Sequence, residues 1–489
     1  MNRLSTDTLK AIPDGVETPR YDRQAAKVGI VHFGIGAFHQ AHQAVFTDDA
    51  MAASGGDWSI CGVSLNSRGS KDRLGPQDGL YSLAICDKSP STRIIGAVKE
   101  VLFAGESQDA VLERLCAPTT KFVTLTITEK GYALSGEGQL DLENPMIKAD
   151  IENPETPSSA MGYIVLASQR RKEAGHAPLT MMSCDNLPAN GDKLRGACVS
   201  LAQKTNPDLA GFIKTLRFPN TMVDSITPAT NEEVLETVRK AIGLDDKAAV
   251  QRETFAQWVI EDDLPEDRPD WTTAGATITK DVHGFEMTKL RILNGAHSTL
   301  TYLGLLANLK SVEDTILQAE LRSFVDSMIR QETISTIDAP QGLDLEDYWA
   351  RTIARFENPH IRHLIEQISH DGSQKIPARI VPVILHHLKA GKVARHACFV
   401  VAAWIVWNQT RRADGNPPTD AYLHQTKERL PSAKLSLADY VDGFLNRDDI
   451  FPNEFQKESS IRASIHTCAS EIKNLGVLDA AKQMVGEKS

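Results

Sequence analysis

Lysine, asparagine and histidine occupy Lys289, Asn294 and His297 in the segment "KLRILNGAHSTL", whose other positions read mostly as a buried helix. At about 100° per residue, Lys289, Leu293, His297 and Asn294 project at about 0°, 40°, 80° and 140°, and Glu286 falls at about 60°. These five share one arc, and Arg291 lies outside it at about 200°. An amine, an amide and an imidazole aimed at one small volume, with a carboxylate beside the amine, suit the oxidation of a secondary alcohol. A base must take the hydroxyl proton while the carbinol carbon gives hydride to a nicotinamide. Lysine serves where burial and the positive ring lower its pKa towards neutrality. Asparagine amides then donate hydrogen bonds to the alkoxide. Asn294 is one such amide. Asn186 in "MMSCDNLPANG", at the end of an expected strand, is a second. His297 would orient the substrate oxygen or tune the lysine. Each residue also has a plain structural reading: Lys289 snorkelling from a helix edge, Asn294 and His297 as satisfied polar groups in a core.

A hydride acceptor needs a cradle. "KVGIVHFGIGAFHQAHQAVF" reads as an apolar strand, a glycine turn and an amphipathic helix, the setting of a dinucleotide fingerprint. Gly34 permits the tight turn and Gly36 the approach of a pyrophosphate, so Gly34, Ile35, Gly36, Ala37 and Phe38 are the expected cofactor contacts. His39 fills the third glycine position, which weakens the motif and leaves a turn without ligand as an alternative. His39 and His42 stand one helical turn apart, but no further ligand follows at zinc spacing, and no metal is expected. The acid that binds adenosine ribose is missing after the second strand, where "GVSLNSRGS" offers Asn66 and Arg68. NAD remains the expected cofactor despite that absence, and Arg68 keeps NADP possible. No tyrosine is followed by a lysine four residues later, so a Tyr-x-x-x-Lys dehydrogenase is excluded. A lysine-based mechanism remains.

The elements around these residues fall into two groups. Strand-like runs "KVGIVHF", "DWSICGVSL", "YSLAICD", "TRIIGAV", "KFVTLTIT" and "PLTMMSCDN" alternate with helical stretches such as "ESQDAVLERLCA" and "AMGYIVLASQRRKEAG", which predicts an α/β fold with a largely parallel sheet. After Pro265 the spacing turns helical. The expected domains are a Rossmann-type dinucleotide-binding domain over residues 1–280 and a mostly α-helical substrate-binding and catalytic domain over 281–489.

Composition narrows the partners. The formal net charge is -11, which argues against a polyanion, so nucleic acid is not expected. Seven cysteines form no C-x-x-C pair and suggest a reducing cytoplasm. The amino end lacks a secretory core, and "ACFVVAAWIVW" is short of the ~20 residues that span a bilayer, so no membrane association is expected.

The ordered blocks "GIGAFHQAHQ", "TLTITEKGY", "SCDNLPANG", "FPNTMVDSITP", "QWVIEDDLPEDRPDW", "KLRILNGAHS" and "RFENPHIRHLIEQISHDGSQKIP" resemble the long-chain polyol and sugar-acid dehydrogenases. That group includes the mannitol 2-dehydrogenases and fructuronate reductases. The resemblance implies a Rossmann-type domain and a helical domain with the substrate in the cleft, NAD(H) and no metal. It places the base on Lys289, the alkoxide amides on Asn186 and Asn294 with His297 beside them, and substrate contacts on Asp224, His370 and Lys375. Glu286 matches an acid next to the base. Three positions depart from the pattern: Gln40 where the family often has Arg, Ser225 where Arg usually follows Asp224, and the missing ribose acid. The expected substrate is a hexitol, ketose or hexuronate. Mannitol–fructose conversion is the first reading, and fructuronate reduction, for which Lys375 and Arg379 offer cations, is the alternative. A catalytically silent NAD-sensing protein would need none of Lys289, Asn186, Asn294 and His297 together. The expected assembly is a monomer or a small homo-oligomer.

Overall fold

The structure, a computed structural model, describes residues 2–87, 89–136, 138–361 and 363–486. It divides into two compact units, Met1–His283 and Gly284–Ser489.

The first unit is built on β1 (Val28–Phe33), β2 (Ser59–Ser64), β3 (Tyr81–Ile85), β4 (Ser91–Ile95), β5 (Val98–Phe103), β6 (Phe122–Leu125), β7 (Thr180–Ser183), β8 (Thr221–Asp224), β9 (Val250–Arg252), β10 (Gln257–Glu261) and β11 (Thr277–Thr279). Five of them form an all-parallel sheet in the order β5-β2-β1-β6-β7. Every residue of β1, β6 and β7 is buried, as expected of strands covered on both faces. The chain steps from β1 to β2 and β5 on one side and then returns to β6 on the other. The order therefore reverses between β1 and β6, and the crevice where ligands of such sheets bind opens past their carboxyl ends. This is the expected Rossmann-type architecture.

The strand reading needs correction at the periphery. β3 and β4 do not join the parallel sheet. They pair antiparallel with each other, and β3 pairs with β9, in a separate three-stranded sheet. β10 lies between β11 and β8 in a third. β5 and β8 to β11, three to six residues each, are strands beyond the strand-like runs of the sequence.

Among the described residues the regular structure of the second unit is all helical, apart from an isolated bridge between Ser311 and Leu364. Its core centres on the helix Arg395–Ala413, whose apolar run is buried on all sides and explains the "ACFVVAAWIVW" segment without a membrane. No helix among the described residues is long and apolar enough to cross one. The helical stretch containing Lys289 is not a uniform α-helix. It runs as an α-helix over Val282–Thr288, a π-helix over Lys289–Asn294 and an α-helix again over Gly295–Leu306.

Candidate active site

At the carboxyl end of β1 the backbone of Gly34 takes φ +90°, where a Cβ would lie 2.1 Å from the Thr126 carbonyl oxygen just beyond β6. No side chain fits there. Gly36 differs: its φ is -105°, and a Cβ would meet nothing nearer than the Gly34 oxygen at 3.8 Å. Packing within the protein does not require glycine at Gly36, so the open space is what a closely approaching ligand backbone would fill. The residues present thus fit a dinucleotide pyrophosphate. Gly36 and Ala37 are exposed and Phe38 is half-buried. Ile35 is turned inward, covering Gly62 of β2, so only its backbone faces the turn.

His39 resolves the missing third glycine. Its ring stacks on His32 of β1 with centroids 3.3 Å apart and planes at 13°, so a flat imidazole pair fills the gap where a glycine would let helix and strand touch. His32 in turn bonds Thr124 Oγ1 at 2.8 Å and Thr126 Oγ1 at 2.9 Å. Burial drives both rings towards the neutral form: the His32 pKa falls to about 3, and that of His39 lies well below the usual value. His42 faces elsewhere, its Nε2 bonded to the Gln257 carbonyl at 2.9 Å. Gln40 is likewise committed to the core, donating to Ala248 O and accepting from the Tyr81 hydroxyl through its own carbonyl. Among the described residues no group of three or more His, Cys, Asp or Glu could hold a metal.

Past β2, Asn66 and Arg68 are both exposed. Arg68 already pairs with Asp72 at 2.9 Å and with Glu106 at 3.1 Å, so a 2′-phosphate there would compete with two carboxylates. Past β7 stands Asn186, exposed at the carboxyl edge of the parallel sheet. Asp224 closes β8 and is buried.

In the second unit the π-helix changes the arc drawn for an ideal α-helix. Gly295 N–H bonds back to Leu290 O, five residues earlier. With i→i+5 pairing the fifth residue rises about one turn above the first, which brings Asn294 over Lys289 instead of about 140° away. The expected grouping of the amide with the amine is closer than a regular helix allows. Lys289 and Asn294 are half-buried, and His297 is buried.

Around His297 lies a group of cations. Its pKa is pushed well below the usual histidine value, first by burial and then by His363, Arg379, Arg355 and Lys375. Arg379 donates to the Asn294 carbonyl at 3.3 Å and to Ser298 Oγ at 3.1 Å. Burial lowers its pKa to about 10, which leaves it charged at neutral pH. Lys375 donates to Ile368 O at 2.9 Å, and burial followed by Arg379 lowers its pKa. His370 lies in the turn just before the helix Gly372–Arg379 that carries both cations. Arg355 and His363 were not singled out in the sequence. Their signal is the "RFENPHIRH" block, whose Arg and His residues are basic as well as part of the family resemblance.

Fold and cradle together are those of a nicotinamide-dependent oxidoreductase. More narrowly, the chain belongs to the mannitol dehydrogenase family: residues 28–273 match the mannitol dehydrogenase Rossmann domain and residues 281–473 the mannitol dehydrogenase C-terminal domain. It is 39% identical to the D-mannonate oxidoreductase of Escherichia coli over 94% of this chain and 96% of that one. It is 35% identical to a mannitol 2-dehydrogenase of Pyrenophora tritici-repentis, over 93% and 83%. Its fold is similar to that of Pseudomonas fluorescens mannitol 2-dehydrogenase solved in ternary complex with NAD and D-mannitol, at TM-score 0.84 and 32% identity, covering 99% of this chain and 100% of that one.

Two outcomes follow from the turn. Gly34→Ala lowers unfolding free energy by about 2 kcal/mol or more in urea titrations, because the backbone is left-handed and blocked. Gly36→Ala leaves that stability unchanged and weakens NADH binding at least about tenfold by fluorescence titration, through the space it fills. The histidine pair sets a pH dependence. Between about pH 6.5 and about pH 3 the unfolded chain binds protons at His32 and His39 that the folded chain excludes, so stability rises with pH through that window and is lost as pH falls. The slope approaches about 1.4 kcal/mol per pH unit for each group, and urea unfolding of a His39→Leu variant at pH 5 and pH 7.5 shows a shallower one.

Proposed function

We propose that the protein interconverts a secondary alcohol and a ketone on a linear sugar acid of the D-mannonate and D-fructuronate type, with NAD(H) as hydride carrier. The observation that carries the reading is the set of cations around His297. Among the described residues Arg379 has no carboxylate as a hydrogen-bond partner, and a half-buried guanidinium bonded only to neutral acceptors is suited to a substrate anion.

In this reading Lys289 accepts the hydroxyl proton. Asn294 and Asn186 donate to the oxygen as it becomes an alkoxide, which is where fixed dipoles lower the barrier most. His297, held neutral by burial, donates or accepts one hydrogen bond at the same oxygen without changing charge. Lys375 and Arg379 receive the carboxylate end, and Asp224 and His370 hold hydroxyls along the chain. The turn Gly34 to Phe38, with Asn66 beyond β2, holds the dinucleotide, which when bound accepts hydride at its nicotinamide. The ion pairs at Arg68 favour NAD over NADP.

A polyol reading, mannitol to fructose, is favoured by the mannitol 2-dehydrogenase relatives and keeps every step except carboxylate capture. Parallel assays of fructose and fructuronate reduction with NADH and NADPH separate the two. Fructuronate with NADH is expected to give the highest kcat/KM. Arg379→Gln is expected to raise KM for fructuronate at least about tenfold, and an equal effect on both substrates would oppose the sugar-acid reading. Lys289→Ala is expected to abolish turnover at all pH values while NADH affinity stays within about threefold. Near wild-type turnover in that variant would remove Lys289 from its role.

A further inference from the structure

The residue before Asn186 does unusual work. Asp185 leaves β7 with its carboxylate turned sideways into the loop that follows β6. Oδ1 accepts the Thr128 N–H at 2.9 Å, and Oδ2 accepts the Ile127 N–H at 3.0 Å and the Tyr132 hydroxyl at 2.7 Å. Tyr132 is fully buried and shares its oxygen with Ser183 Oγ at 2.5 Å. Asp185 also fixes its own loop, for its carbonyl accepts from Asn190 Nδ2 at 3.0 Å and from Leu187 N–H at 2.8 Å.

Both loops joined by this carboxylate are strained. Thr128 has φ +64° and Ala189 has φ +50°, left-handed conformations that side-chain-bearing residues adopt only when their surroundings enforce them. The β6 loop also abuts the cradle, since Thr126 Oγ1 donates to Gly34 O at 2.8 Å and the Thr126 carbonyl is what closes Gly34 to a side chain. One carboxylate therefore links the glycine turn, by way of the β6 loop, to the residue adjoining Asn186. A simple loop brace would need one of these bonds, not three to a single carboxylate between the ends of β6 and β7.

We propose that Asp185 is a positioning residue for hydride transfer: it sets the distance between the dinucleotide turn and the Asn186 amide by holding the Ile127–Thr128 backbone. The inference rests on the alkoxide-binding reading of Asn186. An asparagine at this site keeps the shape, but only one of its two heteroatoms accepts, so its amide nitrogen would face a backbone N–H.

The test is a mutant cycle on the full chain with Asp185→Asn, Asn186→Ala and the double variant, reading kcat, NADH dissociation constant and Tm. Asn186→Ala is expected to lower kcat about a hundredfold and Asp185→Asn at least about tenfold, with NADH affinity within about threefold in both. In the Asp185→Asn background, Asn186→Ala is expected to cost about half as much or less on a logarithmic scale, because the amide is already misplaced. Adding Thr128→Gly to Asp185→Asn relieves the left-handed backbone; it is expected to recover Tm and leave kcat low. If Asp185→Asn fails to fold, Tyr132→Phe, which removes one of three donors, is expected to lower kcat about threefold in the same direction. Multiplicative effects in the cycle, unchanged kcat in Asp185→Asn or Tyr132→Phe, or recovery of kcat together with Tm in the Thr128→Gly background would overturn the inference. A normal Asn186→Ala enzyme would sink the alkoxide reading and this inference together. A defective Asn186→Ala beside a normal Asp185→Asn sinks this inference alone.

Discussion

Asn294 stands five positions after Lys289, and only a turn wider than the α-helix sets one above the other. The i→i+5 pairing of Lys289–Asn294 is thus the constraint on which the geometry of the second unit depends. Such a turn is poor in backbone energy and persists only where its neighbours hold it. Arg291 does so on one side, donating to the carbonyl and hydroxyl of Thr336, and Arg379 on the other, donating to Asn294 O. Nearby, Ile329–Thr333 forms a second π turn, and its Glu332 carboxylate accepts from His396 and Ala397 N–H at the start of the long central helix. The widened segment is seated on a core whose central helix is itself capped by a buried acid.

The first unit meets its own constraint with neutral groups. His39 could have broken the strand–turn–helix unit, because a side chain there separates two backbones that normally touch. Stacking on His32 turns that separation into a contact, and Thr124 and Thr126 fix the tautomer-bearing nitrogens of His32. The cost is two imidazoles that cannot protonate without leaving the core. Neutrality there is consistent with a cradle whose anion is met by backbone dipoles, not by side-chain charge.

Much of this was legible from residue pattern. The strands β1, β2, β6 and β7, fully buried or nearly so, announced themselves as β-branched runs, and the glycine turn followed from its place between strand and helix. β5 and β8 to β11, of similar length, did not stand out as such runs, and the pairing of β3 and β4 in a separate sheet was not legible because strand likeness carries no information about pairing partner. The π-helix was hidden for a related reason: the apolar spacing of "KLRILNGAHSTL" suits an α-helix, and the wider turn is imposed by tertiary bonds from Arg291 and Arg379. Asp185 lay in plain view beside Asn186 in "MMSCDNLPANG", yet nothing in a strand-end aspartate says that its carboxylate will bridge to the next strand's loop.

Charge distribution gives the last step. A guanidinium drawn partly out of water without a carboxylate partner is a stability cost, since removing a charge from water is offset only by a counter-charge or by dense hydrogen bonding. Among the described residues, half-buried Arg379 has two neutral acceptors and shares its surroundings with Lys375, whose pKa is lowered first by burial and then by Arg379. A helix could hold Asn294 in place with an uncharged donor at lower cost, so support of the π turn does not by itself account for a full positive charge. On the reading proposed above, it is answered by a negative charge that arrives during function: an alkoxide forming beside His297 or the carboxylate of a sugar acid. Both are anions, but only the second is present before chemistry begins, so only the second would relieve Arg379 in the ground state and register as substrate affinity.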